Sequence, residues 1–190
     1  MMLITGGARS GKSRLAERLA QRENGPVLYI ATSLVTDPEM AARVAEHRQQ
    51  RPGHWLTWEG YRDCDQAILN HRGQVSAVLL ECVTTLITNL LFDQAGETPA
   101  EQMDFAAIEQ HIAEQMDRLL AACAVASCPV ILVTNELGMG IVPEHLLARQ
   151  FRDIAGRVNQ RLAAAATDVW LVVSGIPVHI KGHDQVGVAG

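Results

Sequence analysis

The sequence has neither a surplus of positive charge nor a long apolar run. Its 190 residues contain 16 Lys+Arg and 21 Asp+Glu, a formal net charge of −5. A broad electrostatic attraction to nucleic acid or to anionic lipid is therefore not expected, and any bound anion must be held by a local group of residues. No apolar run approaches the ~18 residues that a membrane span needs, and a first strand that begins at Met2 leaves no room for a signal peptide.

Cysteine is scarce, and its spacing gives no sign of a metal site. The four cysteines show no C-x-x-C spacing and no zinc-type pairing with histidine, and a disulfide framework would be unusual at this density. The sequence therefore predicts reduced thiols in a cytoplasmic protein. The residues concerned are Cys64, Cys82, Cys123 and Cys128.

Short apolar runs alternate with longer amphipathic stretches, the pattern of βα units that build a parallel sheet. Strands are predicted at 2–5, 26–32, 54–59, 76–81, 129–135 and 168–175. Helices are predicted at 11–23, 37–51, 61–71, 83–94, 102–126 and 143–166, with a loop at 93–102. Because there is no repeat, low-complexity segment or linker, one α/β domain is the simplest interpretation.

A phosphate-binding loop follows the first strand. Residues 6–13, "GGARSGKS", match G-x-x-x-x-G-K-[ST] at every fixed position and lead into an amphipathic helix. The glycines let successive backbone N–H groups point at phosphate oxygens, the lysine reaches the β- and γ-phosphates, and the serine hydroxyl ligates Mg²⁺. A glycine-rich turn that resembles the motif by chance is the alternative. The nucleotide-binding residues predicted here are Gly6, Gly7, Ala8, Arg9, Ser10, Gly11, Lys12 and Ser13.

A magnesium-nucleotide site also needs a carboxylate, and Glu81 ends the apolar run "AVLLE" at the carboxyl edge of the predicted sheet. Ser13 and Glu81 are therefore the predicted Mg²⁺ ligands, with a polar strand cap as the alternative for Glu81. The expected fold is α/β, a single P-loop NTPase-like (RecA-like) domain with a mainly parallel central sheet flanked by helices. A small-metabolite kinase, a nucleotide-dependent switch and a transferase all fit these features.

Longer blocks narrow the choice. They are "ITGGARSGKSRLAE", "LYIATS", "DPEMAARVAEHRQQRP", "LLECVTTLITNLL", "VTNELGMGIVPEHLLARQFRDIAGRVNQRLA" and "VWLVVSGIPVHIK". In this order, over residues 1–181, the sequence resembles the bifunctional adenosylcobinamide kinase and adenosylcobinamide-phosphate guanylyltransferase family of cobalamin biosynthesis. The resemblance implies phosphorylation of the aminopropanol hydroxyl of adenosylcobinamide by ATP or GTP. It then implies transfer of GMP from GTP to that phosphate, with release of pyrophosphate.

The resemblance also implies a guanylylated histidine, and the matching residue here is His47. A neutral imidazole is a competent nucleophile toward phosphorus, and nearby arginines are suited to stabilise the charge of the transition state. The residues that follow it are expected to contact nucleotide: Arg48, Gln49, Gln50 and Arg51. On sequence alone, a solvated histidine on a charged helix face is the competing interpretation.

Other family positions follow by resemblance. The strand-end turn Ala31, Thr32 and Ser33 resembles a nucleotide-contact turn, and Glu59 matches an acid near the guanine or ribose; either could be a polar strand end. Along 149–163, polar residues at helical spacing line an interface, a corrinoid site or a solvated face: Arg149, Arg152, Asp153 and Asn159. The family further implies a homotrimer. Residues 182–190 extend past its pattern, which predicts a domain over 1–181 and a flexible tail.

Overall fold

The computed structural model describes residues 1–33 and 52–182. Seven strands of this part of the chain form one sheet in the order β3-β2-β4-β5-β1-β6-β7. Neighbouring strands are parallel except for the antiparallel pair β6–β7. The strands are β1 Met2–Gly6, β2 Val27–Ala31, β3 Leu56–Glu59, β4 Ala77–Glu81, β5 Val130–Val133, β6 Asp168–Val173 and β7 Ile176–Lys181.

Helices cover both faces of the sheet. They are α1 Lys12–Gln21, α2 Cys64–Asn70, α3 Val83–Ala95, α4 Phe105–Val125 and α5 Leu146–Ala165, with a 3₁₀ turn at Ala100–Gln102. α1 packs on one face, where Leu15 and Leu19 belong to one buried cluster, and the other four helices contribute to a larger cluster on the opposite face. Strands β2, β4 and β5 are buried along nearly their whole length, as parallel strands covered on both faces should be. The predicted α/β fold with a mainly parallel sheet is confirmed.

The largest difference from the sequence prediction is at the end of the sheet. The run 168–175 was predicted as one strand, but β6 ends at Val173, and Ser174 and Gly175 turn the chain with φ values of 53° and 82°. Two successive positive φ values are typical of the tight turn that joins antiparallel strands, and β7 follows at once. The prediction assigned no strand to β7, whose segment "IPVHIK" contains a proline and lies mostly exposed at the edge of the sheet.

Smaller corrections concern element ends. α5 begins at Leu146 rather than 143, α2 at Cys64 rather than 61, and α4 at Phe105 rather than 102. In α4 the Oδ1 atom of Asp104 accepts a hydrogen bond from the Ala107 N–H at 3.0 Å, which fixes the start of the helix. α3 continues to Ala95, into the predicted loop. The predicted helix 37–51 and nearly all of the predicted tail lie outside the described residues.

Candidate active site

The glycine-rich loop lies between β1 and α1, as predicted, and two of its glycines are required by close backbone approach. A Cβ atom on Gly6 would lie 2.5 Å from the carbonyl oxygen of Val172 in β6. Gly11 has a φ of 95° and would place its Cβ atom 3.1 Å from the Cα atom of Gly175. The β6–β7 turn thus packs directly on the loop, and the N–H of Gly175 donates to the Ser10 carbonyl at 2.8 Å.

Lys12 is buried within this loop, with 8% of its surface exposed. Its Nζ atom donates to the carbonyl oxygen of Gly7 at 2.9 Å. Burial lowers the pKa of Lys12, and electrostatic interaction with the nearby Cys82 and Glu81 side chains opposes that shift. The cation therefore lies against the loop backbone, where successive N–H groups and the α1 N-terminus favour an anion.

Glu81 ends β4 at the carboxyl edge of the sheet and receives two hydroxyl groups. Ser13 Oγ donates to Glu81 Oε1, and Tyr29 donates from its hydroxyl to Glu81 Oε2 at 2.9 Å. A hydroxyl and a carboxylate in contact are hard oxygen donors of the kind Mg²⁺ takes beside nucleotide phosphates, so these residues fit the ion. Elsewhere in 1–33 and 52–182 there is no group of three or more His, Cys, Asp or Glu side chains that could hold a metal.

Tyr29 is a site residue that the sequence prediction missed. It pairs with Leu79 in the β2–β4 ladder, two residues before the Ala31–Glu81 pair, so it lies on the same sheet face as Glu81. The signal was one hydroxyl-bearing side chain inside the apolar strand "VLYIA". Its importance depends on strand register, which the sequence pattern does not specify.

The turn after β2 has a structural role that is visible in its contacts. Thr32 is fully buried, and its Oγ1 atom accepts from the Cys82 N–H and donates to the Cys82 carbonyl, both at 2.8 Å. The side-chain amide of Asn89 in α3 donates to the Thr32 carbonyl at 2.8 Å. These bonds join the ends of β2 and β4 to α3. Ser33 is the last described residue before the gap.

Glu59 and Glu81 flank Ala31 in register, one on each side, because β2 lies between β3 and β4. At about 4.8 Å between neighbouring strands, the two acids are roughly 10 Å apart across the edge. Glu59 is exposed at the end of β3. Glu59 is therefore on the same edge of the sheet as the phosphate loop but separate from the Ser13–Glu81 contact.

A hydrogen-bond network next to β5 also escaped the sequence prediction. Thr84 Oγ1 accepts from the Asn135 N–H at 2.8 Å and lies 3.3 Å from Thr134 Oγ1. Asn159 accepts from the Thr134 hydroxyl at 2.8 Å and donates to the Asn135 carbonyl at 3.0 Å. The N–H of Glu136 then donates to the Gly6 carbonyl at 3.1 Å, which links this network to the phosphate loop. Asn159 is thus a structural link between α5 and β5.

The other three α5 residues named by the sequence prediction make local contacts. Arg149 donates to the Pro143 carbonyl at 3.1 Å and also to the Glu144 carbonyl, and Arg152 lies 3.6 Å from Asp153. His47, the predicted nucleophile, lies outside the described residues, as do the predicted contacts Arg48, Gln49, Gln50 and Arg51.

Comparison with known proteins identifies the chemistry. The family model described as cobinamide kinase / cobinamide phosphate guanyltransferase matches residues 2–180. The chain belongs to this family. The predicted family and its two activities are confirmed: a cobinamide kinase and a cobinamide phosphate guanylyltransferase of adenosylcobalamin biosynthesis, which act on cobinamide and nucleotide substrates.

Curated relatives within the family are similar over nearly their full length. The bifunctional adenosylcobalamin biosynthesis proteins CobU of Salmonella typhimurium and Escherichia coli are 59% and 58% identical, over 95% of this chain and 99% of each relative. CobP of Pseudomonas aeruginosa is 38% identical, over 95% of this chain and 96% of the relative. The crystal structure of the RadB recombinase aligns at a TM-score of 0.46 and 17% identity, covering 90% of this chain and 72% of that one. None of the described helices is both long and apolar enough to cross a membrane.

Proposed function

We propose that the phosphate loop performs the kinase step, with Lys12, Ser13 and Glu81 in the roles that the motif assigns. The observation that supports this most directly is the contact of Ser13 with Glu81 beside the buried Lys12. In this step the cobinamide hydroxyl oxygen bonds to the γ-phosphorus of ATP or GTP and loses its proton to solvent, and the bond to the bridging oxygen breaks, releasing the nucleoside diphosphate. Lys12 stabilises the charge on the transferred group.

A bound Mg²⁺ would neutralise phosphate charge in this step. Ser13 and Glu81 would hold it, and the Tyr29 hydroxyl orients the carboxylate toward the loop. The loop N–H groups bind the phosphates, supported by Gly6 and Gly11. Of the other predicted nucleotide contacts, Ala31 and Glu59 share the edge with Glu81, which suits a role for Glu59 at the guanine or ribose.

For the guanylyl step we propose His47 as the nucleophile. Its imidazole nitrogen bonds to the α-phosphorus of GTP, and the bond to the β-phosphate oxygen breaks, releasing pyrophosphate. A phosphate oxygen of cobinamide phosphate then displaces the histidine from phosphorus to give the GDP derivative. The support is membership of a family that transfers GMP, together with a histidine set among arginines in the sequence.

The His47 proposal is tested with GTP labelled separately at the α- and γ-phosphates. We expect acid-labile, protein-bound label from the α position only, lost in His47→Ala. His54→Ala, an exposed histidine seven residues later, is the matched control and should keep the label. Label retained in His47→Ala, or lost equally in both variants, excludes His47 as the covalent residue.

The metal proposal is tested with two acids that flank the same residue. Glu81→Gln removes the charge beside Ser13 and should weaken binding of Mn²⁺, measured by electron paramagnetic resonance with nucleotide present, at least tenfold. Glu59→Gln is the control: it should leave the metal affinity unchanged and reduce GTP affinity. If the two variants bind Mn²⁺ equally well, Glu81 is not the metal ligand.

Three further proposals complete the description: a homotrimer, a cytoplasmic location and a single catalytic domain over 1–181 followed by a short tail. The one continuous sheet and the family match over 2–180 support the domain. All four cysteines are free, which supports a reducing compartment. Sedimentation velocity at several concentrations tests the trimer, for which a single species of three times the chain mass is expected.

A further inference from the structure

Helices α3 and α5 enclose an open groove of about 460 Å³ that no step above uses. Its apolar lining consists of Leu91, Phe92, Leu147, Ala148 and Phe151; we refer to it as the α3–α5 groove. Thr88 and His145 also line it, and no aspartate, glutamate, lysine or arginine of the described residues takes part. The groove is therefore unsuited to a triphosphate and suited to a ligand with a broad apolar face.

The groove concentrates aromatic surface in a chain that has little of it. Aromatic residues make up 4% of the sequence, and two of its three phenylalanines, Phe92 and Phe151, line the groove. The exposed fraction of Phe92 is 49%, although a large aromatic side chain usually contributes most when it is buried. A half-exposed phenylalanine in an uncharged concavity indicates a surface that a ligand covers.

The groove lies at the carboxyl edge of the sheet. On α5, Asn159 bonds to the Asn135 carbonyl just past the end of β5. Two residues past the end of α5, the N–H of Thr167 bonds to the Met1 carbonyl at the opposite edge. Phe151 precedes Asn159 by eight residues, so at 1.5 Å per residue it lies roughly 12 Å beyond the carboxyl edge. The N-terminal half of α5 therefore projects above the site.

Helix α3 stays at the same edge along the groove. It begins directly after Glu81 and Cys82, and the bond from Asn89 to the Thr32 carbonyl keeps it near the end of β2. Thr88, which lines the groove, is next to Asn89 in sequence. Thr88 is six positions after Cys82, a distance of roughly 9 Å along the helix axis. One end of the groove is thus within reach of the Ser13–Glu81 contact.

We propose that the α3–α5 groove holds the corrin ring of the cobinamide acceptor. A corrin macrocycle has two broad apolar faces and a periphery of neutral amides. The phenylalanines would pack on a ring face, and Thr88 and His145 would bond to peripheral amides. From this position the aminopropanol arm extends past the start of α3 to the phosphate loop and presents its hydroxyl to the γ-phosphate.

A second concavity, of about 330 Å³, does not match this acceptor. Its lining includes Arg62, Asp93 and Arg118, whose charges are already paired. Arg62 bonds to both carboxylate oxygens of Asp93 at 3.0 Å, and Arg118 bonds to Asp63 and Asp65. A neutral, flat ligand would have to break these ion pairs without replacing them. The α3–α5 groove imposes no such cost.

The test is equilibrium binding of cobinamide, followed by its visible absorption, without nucleotide. Phe92→Ser should weaken binding at least tenfold and raise the KM for cobinamide while kcat and GTP affinity stay close to wild type. Val125→Ser is the matched control, because Val125 is 47% exposed at the end of α4 and lies outside the groove. If Phe92→Ser is unstable, Ala148→Glu, which puts a charge on an exposed position of the lining, must give the same loss.

Each result has a defined meaning. If the wild-type protein does not bind cobinamide, cobinamide is not its acceptor. If wild-type protein binds cobinamide and both Phe92→Ser and Ala148→Glu bind it with an affinity within twofold of wild type, the groove assignment alone is overturned. A changed sedimentation coefficient with unchanged cobinamide affinity also overturns it and identifies the groove as a contact between copies of the chain.

Discussion

Adjacent glycines of the phosphate loop offer a sharp test of how the loop is packed. In Gly6→Ala, the new Cβ atom would lie 2.5 Å from the Val172 carbonyl oxygen and 2.7 Å from Ser10 Oγ. Ordinary contact begins at 3.4 Å, so β1 and β6 must separate by about 0.9 Å where Gly6 and Val172 pair. The backbone oxygen cannot rotate away as a side chain could. Forced overpacking of this kind costs about 1–3 kcal/mol.

Gly7→Ala is the control, because a Cβ atom on Gly7 would meet nothing within 4 Å. Its free energy of unfolding should change by less than about 0.5 kcal/mol. For Gly6→Ala a loss of about 2 kcal/mol is expected, which lowers Tm by about 4–8 °C in a chain of this length. Thermal unfolding without nucleotide measures both. Equal Tm values for the two variants, or a Gly6→Ala protein as stable as wild type, would refute the packing argument.

Three other predictions follow from single side chains. Burial lowers the pKa of Lys12, so the fall of nucleotide affinity with rising pH should begin at a lower pH than for an ordinary lysine. Between the lowered pKa and the ordinary pKa, the unfolded chain binds more protons than the folded chain, so the contribution of Lys12 to the free energy of unfolding rises with pH. Urea titrations at several pH values measure this rise. Burial raises the pKa of Cys64 and Cys123 to about 12. Iodoacetamide at pH 8 should therefore modify neither thiol until urea unfolds the protein. Detection of either adduct by mass spectrometry of the native protein would contradict this prediction. Tyr29→Phe removes the hydroxyl that donates to Glu81 at 2.9 Å and should lower the free energy of unfolding by about 1.5 kcal/mol in urea titrations, a typical value for a bond to a charged group; an unchanged value would count against that contact.

The phosphate loop was predictable because its information is local. Glycine spacing, a preceding apolar strand and a following amphipathic helix lie within about twenty residues, and the motif binds phosphate through its own backbone. The partnership of Ser13 with Glu81 was also accessible, since parallel strands bring their carboxyl ends to one edge. The prediction of Glu81 as a site residue therefore needed the fold class but not the strand order.

Features that depend on register or on distant helices were not predictable. Tyr29 reaches Glu81 only because β2 and β4 are neighbours with a particular alignment. Asn159 bonds to Thr134 across 25 positions of sequence, and a solvated face explained its spacing equally well. The α3–α5 groove joins residues more than fifty positions apart in the sequence, and its apolar members look like ordinary core residues of their own helices.

The contact of the β6–β7 turn with the phosphate loop has a consequence for the order of assembly during synthesis. The loop leaves the ribosome before its supports do, because β1 is paired between β5 and β6, and Gly175 closes against Ser10. These partners emerge only after residue 130, and the last of them after residue 174. A nascent chain therefore carries the complete phosphate-binding sequence long before it has the support that shapes it. Nucleotide capture should begin only after residue 175 has been made and has emerged.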